Sequence, residues 1–313
     1  MLVLNRTEVE QLLDLDALVD ALADAFVDLS EGRASMPQRM AAFSGHGLLG
    51  TMPAYLPSAN ILESKLVTLF EGNAGTELPT HQAAIALFDP ERGSMIALMD
   101  GTYITATRTA AGSALATRLL AREDARVLAV CGTGVQGGTH ARAVSRVRPF
   151  EEIRIAGRDR AQAEALAAEV GGVAVDSFEE AVRGADVVSA TTHSPEPVVR
   201  HEWLDPGTHV TSVGMNPEGA ELEERLVRDA TVFVESRDAV LAPFPAGAND
   251  LRGVDRERLT ELGEVLADRE PGRTHAEQIT VYKSVGVGVM DAAAAALVMR
   301  AAKGSGVGQE VEL

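Results

Sequence analysis

The chain has 313 residues, 46 of them acidic and 28 basic, a formal net charge of −18. Such a surface repels phosphate backbones, so nucleic acid is excluded as a natural partner. An apolar share of 46% with 24% charged residues excludes bulk disorder and supplies cores for two domains.

Cys131 is the one cysteine, which excludes an intrachain disulfide and a thiolate metal cluster; no metal is expected. Residues 1–11 lack a basic segment followed by an apolar one, and nowhere do about 18 uncharged apolar residues run together. The expectation is a cytoplasmic protein with no signal peptide and no membrane span. The first element is a helix in which Leu18, Leu22, Ala25, Phe26 and Leu29 recur at helical spacing. Asp16 is expected to cap it and Gly32 to end it, while Thr7 with Glu10 gives an earlier capping-box pattern. Residues 61–70, 82–88 and 94–99 read as strands, the last two joined by the turn residues Asp89-Pro90-Glu91-Arg92-Gly93. An Ala-rich helix follows over 103–121. This first third is α+β, with a mainly antiparallel sheet.

From about residue 125 short apolar strands alternate with helices. The strands are 127–132, 153–157, 173–175, 186–191, 209–214 and 230–235; helices are read over 136–147 and 160–170. That alternation means a parallel sheet with helices on both faces. A helical stretch (255–267), a strand (279–284) and an Ala-rich helix (288–302) complete the chain. The last helix resembles the 103–121 helix in composition, so the chain is read as returning to its first domain. The expected division is an α+β domain of residues 1–118 with 290–313 and a Rossmann domain of residues 119–289.

Gly132-Thr133-Gly134-Val135-Gln136-Gly137 fits G-x-G-x-x-G, follows an expected strand and opens an expected helix. In that context the glycines permit a tight turn and close approach of a pyrophosphate, and the helix N-terminus supplies amide donors. An acid roughly 20 positions beyond the glycines would take the ribose 2′-hydroxyl of NAD. Here Arg158 stands about there, followed by Asp159. An arginine can pair with a 2′-phosphate, which favours NADP(H) over NAD(H). The bland alternative makes Arg158 a solvated loop residue and Asp159 a helix cap.

Lys65 in an apolar strand, Arg108 in a small-residue helix and Arg39 after Met36-Pro37-Gln38 are oddly placed charges. Each alone reads as a surface charge. Together they suit a small carboxylate, which arginine can grip bidentately.

Gly50-Thr51-Met52-Pro53-Ala54-Tyr55, Leu78-Pro79-Thr80-His81-Gln82, Leu98-Met99-Asp100-Gly101, Arg108-Thr109-Ala110-Ala111 and the Gly-Thr-Gly-Val-Gln loop follow one another in order. So do Ala190-Thr191-Thr192, Ser212-Val213-Gly214, Glu221-Leu222 and Lys283-Ser284-Val285-Gly286. Across nearly the whole chain this set resembles the ornithine cyclodeaminase/mu-crystallin family. Members include ornithine cyclodeaminases, alanine dehydrogenases, ketimine and pyrroline-2-carboxylate reductases, iminosuccinate reductases and hydroxyproline dehydratases.

The resemblance implies a discontinuous substrate-binding and dimerisation domain, a Rossmann domain for NAD(H) or NADP(H), and a homodimer. It implies that Arg39, Lys65 and Arg108 hold the substrate carboxylate with Thr80 nearby, Lys65 and Arg108 being the catalytic pair. Lys65 would also influence protonation of the amine or imine. Thr191, Thr192 and His193 would line the nucleotide, while Val213, Gly214, Met215, Val285 and Gly286 would flank the nicotinamide. His81 is a structural histidine by preference and a proton donor as the alternative. The expected activity is reduction of a small 2-imino acid to the amino acid, or the reverse. The alternatives are an ornithine cyclodeaminase and a mu-crystallin-like binding protein. Cyclodeaminases of the family carry an aspartate where this chain has Asn216, and Gly50 lacks an acid for a distal ammonium. Asn216 is therefore read as a substrate-side residue of a reductase. Glu218 and Glu221 stand nearby, Glu221 being read as opening the following helix.

Overall fold

The computed structural model describes residues 1–312. In chain order the first elements are β1 (Leu2–Leu4), α1 (Arg6–Leu12), α2 (Leu15–Ser30), β2 (Met40–Phe43), β3 (Leu48–Leu56), β4 (Ile61–Leu69), β5 (His81–Phe88) and β6 (Met95–Asp100). Then come α3 (Gly101–Leu120), β7 (Val127–Cys131), α4 (Val135–Val144), β8 (Glu152–Ala156), α5 (Arg160–Val170), β9 (Val173–Ala174), α6 (Phe178–Val182), β10 (Val187–Ala190), β11 (His209–Ser212), α7 (Glu224–Asp229) and β12 (Thr231–Val234). The chain ends with α8 (Arg237–Val240), β13 (Leu259–Glu261), α9 (Leu262–Leu266), β14 (Thr280–Lys283), α10 (Gly288–Ser305) and β15 (Gln309–Glu310).

The chain forms two compact units, 1–108 with 287–313 and 109–286. It leaves the first unit inside α3, ten residues before the expected limit of 118, and re-enters it just ahead of α10.

The first unit holds a seven-stranded sheet in the order β15-β1-β6-β5-β4-β3-β2, antiparallel except where β1 pairs with β6. Helix α10 packs on β3, β4 and α2. Strand β3 was not read from the sequence, because Pro53 sits in its middle. Proline is tolerated there since β2 pairs with β3 only as far as Thr51. Gly32 ends α2 with the expected left-handed backbone (φ +69°), but the N-terminal caps differ from expectation. Asn5 and Glu8 form the box on α1, and the Asp14 side chain accepts from the Ala17 amide at 2.8 Å to start α2. Asp16 lies inside the first turn of α2, too late to reach the orphan amides.

The second unit is an eight-stranded, all-parallel sheet in the order β13-β12-β14-β11-β10-β7-β8-β9. Leu128, Val130, Ile155 and Val187 pack with α4 and α5 residues, and Ala129, Cys131, Val188 and Ala190 with α6 and α7 residues. Both faces being covered explains why these strands are continuous apolar runs. The expected helix over 255–267 is instead β13 followed by the short α9. Leu259–Glu261 pairs with Val232–Val234, and that tertiary pairing overrides the local pattern. Strand order reverses between β7 and β10, which makes this unit a Rossmann fold.

Candidate active site

Strand β4 alternates: Ile61, Glu63 and Lys65 are buried, while Leu62 and Leu66 are exposed. Helix α10 covers the buried side and brings Asp291 one turn in from its start. Lys65 Nζ stands 2.7 Å from Asp291 Oδ2. Arg108 Nε, from α3, donates to Asp291 Oδ1 at 3.0 Å, and its Nη1 lies 3.7 Å from Met290 Sδ. One fully buried carboxylate thus holds a cation at each oxygen, as a buried charge requires.

Burial, then the charge of Arg108, pushes Lys65 down to about 8 against the pull of Asp291; Arg39 also acts in that direction, which places its charge near Lys65. Burial would raise Asp291, but Arg108 and then Lys65 outweigh it and hold the carboxyl below its usual range. Glu63 is opposite in sign: burial, then the charge of Asp291, raises it well above the usual range, and neither of its carboxyl oxygens has a hydrogen-bond partner. Burial and the neighbouring Asp291 charge thus favour the protonated form of Glu63, while Asp291 holds Lys65 and Arg108.

Of the expected residues the structure brings together Arg39, Lys65 and Arg108. The Thr80 hydroxyl lies 3.3 Å from His81 Nδ1. Asp291 and Glu63 were missed. A lone acid at the head of the otherwise apolar α10 was the available signal for Asp291, since such a residue needs a buried partner.

In the second unit the glycine loop follows β7. Gly132 has φ +125°, and a Cβ there would lie 2.5 Å from Thr191 Oγ1 at the end of β10. A Cβ on Gly137 would fall on the Gly132 carbonyl oxygen. Gly134 differs: it is the N-cap of α4, and a Cβ there would meet nothing within 4 Å. Two glycines serve the chain's own packing and the third borders open space before the α4 amides, so the residues present fit a dinucleotide's pyrophosphate. Thr133 packs against Gly157, and Val135 is exposed. Gln136 accepts from Thr139 through its carbonyl at 3.2 Å.

Arg158 is exposed just past β8, while Asp159 Oδ1 caps α5 through the Ala161 and Gln162 amides. Asn216 lies in this unit with its amide engaged at both ends: Nδ2 donates to the His193 carbonyl at 3.0 Å and Oδ1 accepts from the Glu218 amide at 2.8 Å.

Glu221 does not open a helix; α7 begins at Glu224. Its buried carboxylate accepts from Thr192 N (2.5 Å) and Oγ1 (2.8 Å) on one oxygen, and from Ser212 Oγ (2.8 Å) and Gly214 N (2.9 Å) on the other. Lys283, fully buried, donates to Ser212 Oγ (2.9 Å) and the Gly214 carbonyl (2.6 Å) and pairs with Asp250 at 2.8 Å. Glu235 accepts from Ser284 Oγ and from the Val285 and Gly286 amides at 2.8–3.0 Å. Among the described residues no His, Cys, Asp or Glu group is arranged to hold a metal, and no helix is long and apolar enough to cross a membrane.

Comparison with known proteins bears on both clusters. The chain is 44% identical over 255 residues to the ketimine reductase mu-crystallin of Mus musculus, covering 80% of each. Its structure is similar to that of Thermococcus litoralis Delta(1)-pyrroline-2-carboxylate reductase in complex with NADH and L-proline, with TM-score 0.93, 33% identity, 99% of this chain and 100% of that one. It is also similar to an archaeal alanine dehydrogenase dimer with bound NAD, with TM-score 0.91, 31% identity, 100% of this chain and 99% of that one. Fold and site together define a Rossmann-type dinucleotide-binding protein with an added α+β unit that carries a buried Lys–Asp–Arg cluster. The chain belongs to the ornithine cyclodeaminase/mu-crystallin family, whose model matches residues 1–306.

Proposed function

We infer that the protein is an NAD(P)-dependent oxidoreductase that reduces a small 2-imino acid to the amino acid, or runs the reverse. The observation that carries this reading is the buried Lys65–Asp291–Arg108 constellation in a chain that also holds a dinucleotide loop. Arg108 spends Nε on Asp291, which leaves donors on both Nη groups to grip a substrate carboxylate. Arg39 adds charge to that grip. Lys65 spends one of three donors on Asp291 and is protonated at neutral pH, so it can give a proton to, or hold one at, the substrate nitrogen. Nicotinamide, when bound, supplies or takes the hydride at the substrate's α-carbon. The relatives named ketimine reductase, pyrroline-2-carboxylate reductase and alanine dehydrogenase support this reaction class.

Gly134 and the α4 amides would hold the pyrophosphate, in a turn that the close packing of Gly132 on Thr191 and of Gly137 on Gly132 permits. Among the described residues Arg158 has no ion pair, and Asp159 is occupied as a cap, which supports NADP(H) as the preferred cofactor. Asn216 shapes the loop between His193 and Glu218 with one donor and one acceptor of its amide. A cyclodeaminase needs a base at that position, and a doubly hydrogen-bonded amide cannot serve as one. Leu49, Leu62 and Leu66 project from the outer face of the first unit's sheet, 36–47% exposed, and this face is where two copies pair.

The experiment is a panel of pyruvate, glyoxylate and oxaloacetate, each with ammonia or methylamine, and of cyclic 2-imino acids, tested with NADH and NADPH. Oxidation of NAD(P)H on one of these names the substrate. Proline and ammonia formed from ornithine at about 1 per second or faster would overturn the reading in favour of a cyclodeaminase. Cofactor binding with no turnover on any member of the panel would favour a binding protein.

A further inference from the structure

A dinucleotide lies across the carboxyl ends of a Rossmann sheet, one mononucleotide half on each side of the order reversal. Here the glycine loop and β8 serve the adenosine side, and β10, β11 and β14 form the other half. The segments just past those three strands are Thr191–His193, Val213–Met215 and Ser284–Gly286. The first amide of each segment still bonds to a neighbouring strand end (Thr191 to Cys131, Val213 to Ala190, Ser284 to Ser212), but the polar groups past it need other partners.

One buried network does so. Glu221 joins the first two segments, because one of its oxygens takes Thr192 and the other takes Ser212 and Gly214. Lys283, the last residue of β14, joins the second segment to the third strand by donating to Ser212 Oγ and the Gly214 carbonyl. Asp250 closes the network by pairing with Lys283 and accepting from the Glu221 and Leu222 amides at 2.8 and 2.9 Å. Glu235 independently clamps the Ser284–Gly286 turn.

Paired buried charges of this kind contribute little net stability compared with apolar packing. What they do supply is geometry: each oxygen of Glu221 accepts two donors, so the separation of the two strand ends is set by the width of one carboxylate. We propose that Glu221, with Lys283 and Asp250, is a positioning residue for the nicotinamide half of the cofactor, holding the strand ends after β10 and β11 at a fixed spacing. The inference rests on the cofactor reading above. It accords with the steep loss of rate when reacting groups are misplaced by about 1 Å.

The test compares two ligands that differ only in the nicotinamide. Affinities of wild type, Glu221→Ala and Glu221→Gln are measured for NADH against ADP-ribose, and for NADPH against 2′-phospho-ADP-ribose. In Glu221→Ala the ADP-ribose affinity stays within about twofold, while the dinucleotide binds about tenfold or more weakly and kcat falls by a similar factor. Glu221→Gln falls between, because its amide oxygen satisfies one pair of donors while its NH2 group opposes the other. Should Glu221→Ala not fold, Ser212→Ala removes one hydroxyl of the network, and a loss of about threefold or more confined to the dinucleotide carries the same meaning. Equal losses for both ligands, or no loss for either, would overturn the positioning role. Absence of binding of either dinucleotide to the wild-type protein would overturn the cofactor reading, and this inference with it.

Discussion

A buried ammonium loses its proton more readily than an exposed one, and Lys65 is held between that tendency and the attraction of Asp291. With Lys65 at about 8, its charge is present at neutral pH and lost as pH rises through that value. In the proposed function this charge attracts the substrate carboxylate and supplies a proton, so reductive kcat/KM should be level below this value and fall above it. Asp291→Asn removes the carboxylate charge that raises Lys65, so the falling limb should move to lower pH. The same change leaves two buried cations facing each other, and stability should drop by about 3–5 kcal/mol, the cost of breaking a buried pair. A pH profile of both proteins with thermal unfolding checks the pair of outcomes; an unmoved limb would separate Asp291 from Lys65. Arg108→Leu should lower kcat/KM by about 2 kcal/mol or more, the scale of a lost charge-assisted bond. Dinucleotide affinity should not change, since Arg108 belongs to the first unit. If Arg158 pairs with a 2′-phosphate as proposed, Arg158→Ala should raise KM for NADPH about tenfold, roughly 1.4 kcal/mol, and leave KM for NADH as it was. Equal effects on both cofactors would remove it from the 2′-phosphate.

At the scale of the element, the glycine loop separates binding from folding. Gly134 has φ −78° and ψ −170°, extended backbone open to valine, and empty space where the side chain would go. Gly134→Val should therefore unfold at close to the wild-type temperature while dinucleotide affinity falls tenfold or more. Gly137→Ala should do the reverse first: its Cβ meets the Gly132 carbonyl, so α4 must move off β7 at about 1–3 kcal/mol. Fluorescence titration with NAD(P)H beside thermal melts distinguishes the two; an undiminished affinity in Gly134→Val would sink the pyrophosphate site. This loop was legible in the sequence because its pattern is local, as were the strands of the parallel sheet, whose apolar runs follow from burial on both faces. Strand β3 was hidden by Pro53, and β13 by a helical-looking stretch, since in each case a neighbouring strand decided the structure. Asp291 and the hydrogen bonds of Glu221 were hidden for the same reason: Asp291 lies 226 positions from Lys65, and Glu221 29 positions from Thr192. No local pattern joins residues so far apart, although an isolated charge in an apolar segment marks a side chain that needs a distant partner.

The whole molecule adds one further constraint, its charge. Two copies each carrying −18 repel one another, so any self-association must be driven by apolar surface. The first unit has such a surface. Helix α10 covers one face of its sheet, and the other face exposes Leu49 on β3 and Leu62 and Leu66 on β4. Met40 and Phe43 on the edge strand β2 are each 64% exposed. Antiparallel sheets tolerate one solvated face when that face is polar, and here three exposed leucines interrupt Thr51, Ser64 and Thr68. Pairing of two copies through it buries the exposed leucines, and salt should strengthen the pair by screening the repulsion, whose range at 0.1 M is about 10 Å. If two copies pair through this face as proposed, Leu66→Glu, which places a carboxylate in the patch and adds to the like charge, should sediment as a monomer at concentrations where the wild type is expected to sediment as a dimer. Dinucleotide affinity should survive the change, because the nucleotide loop belongs to the other unit. A Leu66→Glu protein of unchanged sedimentation coefficient, or a wild-type association weakened by added salt, would show that copies meet through a polar surface elsewhere.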